Sequence, residues 1–134
     1  MEPSDIPHVG LDARLGLRVT AVGPDRVAAR FEVTPDLLDG TGSLHRGVVS
    51  AAVETAASVA GAAWYEDRGR VVGVSNTTSH FASTQAGLVD VVAEPVALLD
   101  ARQVWTVAVV SGDVLLARGT VALANVPDGG WLGG

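Results

Sequence analysis

The stretch HRGVVSAAVETAASVAGAAW, residues 45–64, decides the fold of this chain. Nearly every residue in it is small or apolar, and Glu54 is the only ionisable side chain between Gly47 and Ala63. This pattern predicts a helix over roughly Arg46–Tyr65. Because the helix is apolar nearly all round, it should be a central element. A lone carboxylate there must be solvated, paired or neutralised, since a bare buried charge is very costly, and this makes Glu54 a candidate for chemistry.

Strand candidates flank this helix on both sides. Two precede it and four follow it, at residues 15–22, 26–34, 71–81, 87–98, 102–110 and 114–124. The segments GPD at 23–25 and SGD at 111–113 predict tight turns. Two strands, one long apolar helix and four more strands favour an antiparallel sheet wrapped around the helix. This is the α+β hotdog architecture.

Length and composition predict one domain over residues 1–134, with loose termini at about 1–12 and 126–134 and Trp131 as a lone surface aromatic. The chain has no cysteine, and its His, Asp and Glu residues form no convincing metal-binding pattern, so no metal is expected. A net charge of −6 without a basic cluster argues against nucleic acid and anionic membranes as partners. The polar N-terminus does not resemble a signal peptide, and Glu54 argues against a membrane span. A cytoplasmic protein is therefore expected.

Three polar residues of the helix share one line along its surface. Ser50, Glu54 and Ser58 are spaced i, i+4 and i+8, and Thr55 lies beside them. For Ser50 we favour a hydrogen bond to a backbone carbonyl of its own helix, whereas Ser58 fits either that role or a place in a site. His45 stands where a Gly-rich loop meets the helix N-terminus, where free N–H groups can stabilise an oxyanion. It fits a capping role and a catalytic role equally well.

A motif around His45 resembles a known family. The run G-x-x-H-x-G at 42–47, with an acid nine residues after the His, resembles hotdog acyl-CoA thioesterases of the phenylacetate and 4-hydroxybenzoyl-CoA groups. The later segments VVGVSNTTSHFAS at 71–83 and ARQVW at 101–105 are similar to 1,4-dihydroxy-2-naphthoyl-CoA hydrolases and to the proofreading thioesterase of enterobactin synthesis. The resemblance spans roughly residues 15–125.

The resemblance implies roles for particular residues. Glu54 takes the place of the nucleophile or general base, and the backbone N–H of Arg46, with Gly47 beside it, would polarise the thioester carbonyl. Ser58 stands where a Thr or Ser assists the water. Asp39 stands where an amide side chain contacts the reacting group.

His45 is implied as a further supporting group. Binding of substrate is assigned to Arg46 and to residues of the similar segments, namely His80, Ser83, Arg102 and Gln103. Coenzyme A would be part of the substrate, and no cofactor is expected.

The sequence departs from the family pattern at three positions. Arg46 replaces the first Gly of the usual HGG, so a side chain stands where Gly would allow a close approach of the ligand. Asp39 replaces an amide and cannot donate a hydrogen bond when ionised. Ala82 replaces an Arg that often contacts a phosphate of coenzyme A. These changes bear on substrate and activity rather than on fold.

The spacing of the two catalytic groups predicts an oligomer. Arg46 and Glu54 are eight residues apart, which is about 12 Å along a helix. The carbonyl carbon and oxygen of a thioester are bonded to each other, so one helix cannot easily present both groups to them. Two antiparallel helices across a two-fold axis can, which predicts a homodimer with shared sites. The resemblance adds tetramers built from two such dimers.

The sequence therefore predicts a hydrolase that cleaves an acyl-CoA thioester, with an aromatic acyl group by analogy. Two other functions remain open. A hotdog enoyl-CoA hydratase would usually need a His and Asp pair, for which His45 and Asp39 are a poor match. A non-catalytic acyl-CoA-binding hotdog protein is favoured by the changes at Arg46 and Asp39 and opposed by Glu54.

Overall fold

The structure, a computed structural model, describes residues 1–129. It contains two α-helices and six strands: α1 (Gly10–Leu15), β1 (Arg18–Val22), β2 (Val27–Val33), α2 (Arg46–Tyr65), β3 (Gly69–His80), β4 (Gly87–Leu98), β5 (Arg102–Ser111) and β6 (Val114–Pro127). Short 3₁₀ turns occur at Pro3–Asp5, Pro35–Leu37 and Glu66–Arg68. The bounds of α2 agree with the sequence prediction.

The strands form one antiparallel sheet in the order β1-β2-β4-β5-β6-β3, and α2 packs against its inner face. This arrangement confirms the predicted hotdog architecture. Strand β3 lies at one end of the sheet and pairs with β6 along its whole length. It contains a bulge between Gly73 and Ser75, where the register shifts by one residue.

The core lies between α2 and the sheet. The helix buries Val49, Val53 and Ala56, and the sheet contributes large side chains such as Phe31 and Trp105. Small residues on α2 let the helix approach the sheet closely. The clearest case is Gly61, where a Cβ atom would overlap with the Leu123 side chain. The small residues that suggested a central helix therefore serve close packing.

By length and mean hydropathy, residues Arg46–Arg68 could cross a membrane. The same test is passed by the core helix of a globular domain, and one face of α2 is packed in this core.

Both ends of the described chain are more ordered than the sequence suggested. The first predicted strand begins at Arg18 rather than at residue 15, because α1 ends at Leu15 and is followed by Gly16, whose φ of 69° suits a helix C-cap. The segment before β1 packs on α2, where the Thr55 hydroxyl donates a hydrogen bond of 2.7 Å to Asp12 of this segment. At the other end, β6 continues to Pro127 with Val126 buried, so this part of the predicted loose tail belongs to the sheet. Trp131 lies outside the described residues.

Gln103 was predicted to bind substrate, and the structure contradicts this. Its side chain is 0% exposed, between β5 and α2. The amide nitrogen donates to the carbonyl of Gly61 and to Asn125, and the amide oxygen accepts from the indole N–H of Trp105 at 2.8 Å. Sequence reasoning placed Gln103 in the similar segment 101–105 but could not tell which face of β5 it occupies. It is a fully bonded polar group of the core.

We expect Gln103→Leu to lower the free energy of unfolding by about 2 kcal/mol, because it leaves buried partners on Trp105 and Asn125 without their hydrogen bonds. Urea unfolding followed by circular dichroism measures this loss. The neighbouring Arg102→Leu is the matched control, since Arg102 is exposed and its replacement should change stability by less than about 0.5 kcal/mol. Equal stability of the two variants would contradict the structural role of Gln103.

Candidate active site

The N-terminus of α2 is capped by His45. This residue has φ −62° and ψ 131°, and its Nδ1 atom accepts a hydrogen bond of 2.8 Å from the backbone N–H of Gly47. The Gly47 amide is therefore already used within the helix end, contrary to its predicted part in an oxyanion site. The backbone N–H of Arg46 donates to no acceptor within residues 1–129. Arg46 alone thus retains the donor that the predicted oxyanion site needs.

Asp39 closes the loop that leads to α2. Its Oδ1 atom accepts hydrogen bonds from the backbone N–H and hydroxyl of Thr41, at 2.8 and 2.6 Å, and from the N–H of Ser43 at 3.2 Å. These bonds, with the Thr41 hydroxyl first, hold the pKa of the Asp39 carboxyl below its usual value. The Asp39 carboxylate is therefore bound within its own loop. The structure gives Asp39 a positioning role for the loop.

Glu54 is half-buried between α2 and β3 and is held by polar neighbours. The Asn76 amide donates to Glu54 Oε1 at 3.3 Å and to the backbone carbonyl of Ser50 at 3.0 Å. The Ser58 hydroxyl lies 3.5 Å from Glu54 Oε2, at the long limit for a hydrogen bond. The Thr78 hydroxyl in turn donates to Asn76 at 2.7 Å. The charge of Glu54 is therefore stabilised by hydrogen bonds from side chains and by contact with solvent.

Asn76 was not among the predicted site residues. It is 22 residues from Glu54 in the chain, so no helical spacing connects the two. The only sequence signal was its place in the SNTTS run at 75–79, within a segment that carried the family resemblance. Pairing of β3 beside α2 brings it to the carboxylate.

Gly73 makes room for the Glu54 side chain. A Cβ atom at this position would overlap with Glu54 Oε2. Gly73 lies at the start of the bulge in β3, and its backbone directly faces the carboxylate. The place of Glu54 is thus defined by Gly73 on one side and by Asn76 on another.

We expect Gly73→Ala to lower kcat for the activity that depends on Glu54 by about tenfold or more, because a carboxylate displaced by an ångström loses its productive geometry. The KM should change less. Ser75→Ala is the matched control, since Ser75 is paired with Ala122 and lies on the outer face of the same strand. Steady-state kinetics of both variants, with circular dichroism to check folding, measure the effect. Equal kcat values for the two variants would show that Gly73 does not position Glu54.

The remaining predicted binding residues lie in different places. His80 is close to Arg46, and its pKa is lowered by burial first and by the positive charge of Arg46 second. Ser83 is exposed in the segment that follows β3. In the same segment, the Thr84 carbonyl accepts a hydrogen bond from the backbone N–H of Leu44, two residues before α2. Arg102 alternates with the inward-facing Gln103, so it lies on the outer face of the sheet, away from α2. The structure thus puts His80 within the electrostatic influence of Arg46, places Ser83 next to a residue that bonds the chain just before α2, and leaves Arg102 apart.

Among residues 1–129, no three His, Asp or Glu side chains are grouped so that they could hold a metal ion. The chemistry available at this site is that of a carboxylate with amide and hydroxyl neighbours, and of a helix N-terminus with an unused N–H.

A long helix wrapped by an antiparallel sheet is the arrangement of the hotdog thioesterases. Residues 41–118 match the family model described as "Thioesterase superfamily". The chain therefore belongs to this superfamily, and this membership supports the prediction that the protein is a hydrolase.

Individual proteins resemble it over most of their length. Rv1847 of Mycobacterium tuberculosis, whose name assigns it only provisionally as an esterase, is 40% identical over 122 residues, covering 88% of this chain and 87% of that protein. The 1,4-dihydroxy-2-naphthoyl-CoA hydrolase of Listeria monocytogenes is 33% identical over 99 residues, covering 74% of this chain and 80% of that protein. The crystal structure of AziG from S. sahachiroi superimposes with a TM-score of 0.88 at 41% identity, covering 90% of this chain and 99% of AziG.

Proposed function

We propose that this protein hydrolyses an acyl-CoA thioester to the free acid and coenzyme A, with Glu54 as base or nucleophile. One observation carries the proposal. The Glu54 carboxylate is half-exposed and is held between Gly73, Asn76 and Ser58 in a helix that has no other ionisable side chain between Gly47 and Ala63. A carboxylate placed this way, in a member of the thioesterase superfamily, is suited to attack or to activate water.

In the general-base form, Glu54 takes a proton from water as the water oxygen attacks the carbonyl carbon. The carbonyl oxygen becomes an oxyanion, which the unused N–H of Arg46 at a helix N-terminus is suited to stabilise. When the tetrahedral intermediate collapses, the C–S bond breaks, and Glu54 returns the proton that it took from water to the departing thiolate of coenzyme A. In the nucleophilic form, a Glu54 oxygen attacks the carbonyl carbon, and the C–S bond breaks to release the thiolate of coenzyme A. Water then hydrolyses the resulting anhydride to the free acid and the Glu54 carboxylate.

The proposed site is shared between two chains. Arg46 and Glu54 lie in one continuous helix, which keeps them about 12 Å apart. A second copy related by a two-fold axis would bring its Arg46 N–H to the first copy's Glu54. The position of β3 at the end of the sheet supports this, because an edge strand of 12 residues offers backbone groups for pairing with another chain. We propose a homodimer with two such sites, and a tetramer of two dimers as the larger assembly.

Coenzyme A is proposed as the thiol component because the Arg46 side chain is exposed at the N-terminus of α2, where it is suited to meet a phosphate. The name of the Listeria relative supports an aromatic acyl group. The proposed reaction needs no cofactor and takes place in the cytoplasm.

Two other functions fit the same fold. A hydratase would need His45 and Asp39 as an acid and base pair, but His45 Nδ1 caps the helix and Asp39 Oδ1 closes the loop. A non-catalytic protein that binds acyl-CoA would not need a carboxylate that is fixed in position, as Glu54 is. Both observations favour hydrolysis.

A panel of acyl-CoA and enoyl-CoA thioesters, assayed with a thiol reagent and by absorbance of the enoyl group, separates the three functions. Hydrolysis releases thiol, hydration removes the enoyl absorbance without thiol, and binding alone changes neither. We expect thiol release that increases in proportion to the enzyme concentration. Absence of thiol release from every thioester in the panel would refute the proposed function.

A further inference from the structure

The N-terminal segment of the chain forms one wall of a cleft beside Glu54. The cleft has a volume of about 460 Å³. Ile6, Pro7 and Val9 line one side, and Val59 of α2, one turn beyond Thr55, lines the other. The hydrogen bond from Thr55 to Asp12 holds the N-terminal segment against the helix. Residues that the sequence suggested to be loose thus border the candidate catalytic group.

The cleft is lined by apolar side chains and by carboxylates. Asp5, Asp12 and Glu54 contribute carboxylates, and no Arg or His side chain lines the cleft within residues 1–129. Met1 also lines it and carries one α-amino group, so carboxylates outnumber the single cation by three to one. A ligand group that is itself anionic would meet like charges there and no basic side chain. An uncharged apolar group would bury its surface against the N-terminal wall without such a cost.

We propose that this cleft holds the acyl group of the substrate, and that the N-terminal segment selects neutral apolar acyl groups against acyl groups that end in a carboxylate. The inference rests on the proposed thioester hydrolysis, because a thioester carbonyl held at Glu54 leaves its acyl chain free to extend toward Val59 and Val9. The N-terminal segment is then a determinant of specificity.

A second cleft, which Ser58 also lines, is the competing location. It is lined by Ala63, Glu66, Asp67 and Arg70 and has mixed charge. A carboxylate could pair with Arg70 there, so this cleft predicts tolerance of anionic acyl groups. The two locations therefore predict opposite preferences.

The test compares hexanoyl-CoA with adipoyl-CoA, which has the same chain length but ends in a carboxylate. We expect wild-type protein to favour hexanoyl-CoA by about tenfold or more in kcat/KM. Val9→Arg should shift the ratio of the two kcat/KM values toward adipoyl-CoA by about threefold to tenfold, since it adds a cation to the wall. Val9 is 67% exposed, so this change should not disturb the core. Ala63→Arg, which places the same charge in the second cleft, is the matched control and should leave the ratio unchanged.

A wild-type protein that hydrolyses neither thioester, or both equally well, would overturn the inference. So would an unchanged ratio in Val9→Arg, a shift in Ala63→Arg alone, or equal shifts in both variants. Failure of the proposed function has a different signature, namely no thiol release from any thioester in the wider panel. If thiol release is seen but the ratio does not respond to Val9→Arg, only the location of the acyl group is wrong.

Discussion

Replacing Glu54 by Gln is expected to lower kcat for thioester hydrolysis by at least about 10²-fold. Gln is nearly isosteric: its amide oxygen can still accept from Asn76, and its NH2 group can donate to the Ser58 hydroxyl, so the fold should be kept. The amide can neither take a proton from water nor attack as a carboxylate does. The loss should therefore appear in kcat, with little change in the binding of substrate.

Steady-state thiol release from the best substrate of the panel measures this effect, with circular dichroism to confirm folding. Glu32→Gln is the matched control, because Glu32 is an exposed carboxylate on β2 with no part in the proposed site. Activity of Glu54→Gln within a few-fold of the control would refute the mechanism.

Replacing Arg46 by Pro is expected to lower kcat by about 10²- to 10³-fold, because it removes the single N–H that is proposed to bind the oxyanion. Arg46 is the first residue of α2, where Pro is well tolerated. The preceding His45 has ψ 131°, an extended conformation that a following Pro favours. The variant thus removes a donor without breaking the helix.

Arg46→Ala is the matched control, since it removes the side chain and keeps the N–H. It should retain kcat and raise KM for CoA thioesters, with a weaker dependence of KM on salt, if the side chain meets a phosphate. An unchanged KM would show that the Arg46 side chain takes no part in binding the substrate. Equal kcat values for the Pro and Ala variants would contradict the oxyanion role of the backbone.

The two inactive variants also test whether the site is shared. In an equal mixture of Glu54→Gln and Arg46→Pro chains, half of the dimers are hybrids, and each hybrid has one intact site. About one quarter of all sites should then be active if the two groups come from different chains. Recovery of this activity after unfolding and refolding the mixed chains supports the shared site. Absence of recovery, or an active monomer by light scattering, would refute it.

The helix and the sheet could be predicted from local pattern. The uncharged run around Glu54 gave the bounds of α2, and alternation with turn residues located all six strands, with errors mainly at their ends. The motif at 42–47 and its spacing to Glu54 indicated the family, which the comparisons confirmed. These features depend on residues that are close together in the chain, so they can be predicted from short segments of the sequence.

The surroundings of the candidate catalytic groups depend on contacts between distant segments. Asn76 and Gly73 flank Glu54 only because β3 lies beside α2 with a bulge at that point. Gln103 shares a segment with Arg102 but faces the core, because strand register decides which face of the sheet each residue occupies.

Sequence by itself determined the central helix with its lone acid, the succession of strands along the chain, and the family, because composition and periodicity reflect burial along a single element. Only the tertiary structure decided which groups stay available for chemistry. It showed that Gly73 and Asn76 of β3 hold the Glu54 carboxylate, and that the N-terminal segment borders Glu54. The physical reason is that a hydrogen-bond donor or a cleft is defined by what packs against it, and those partners come from residues far away in the chain.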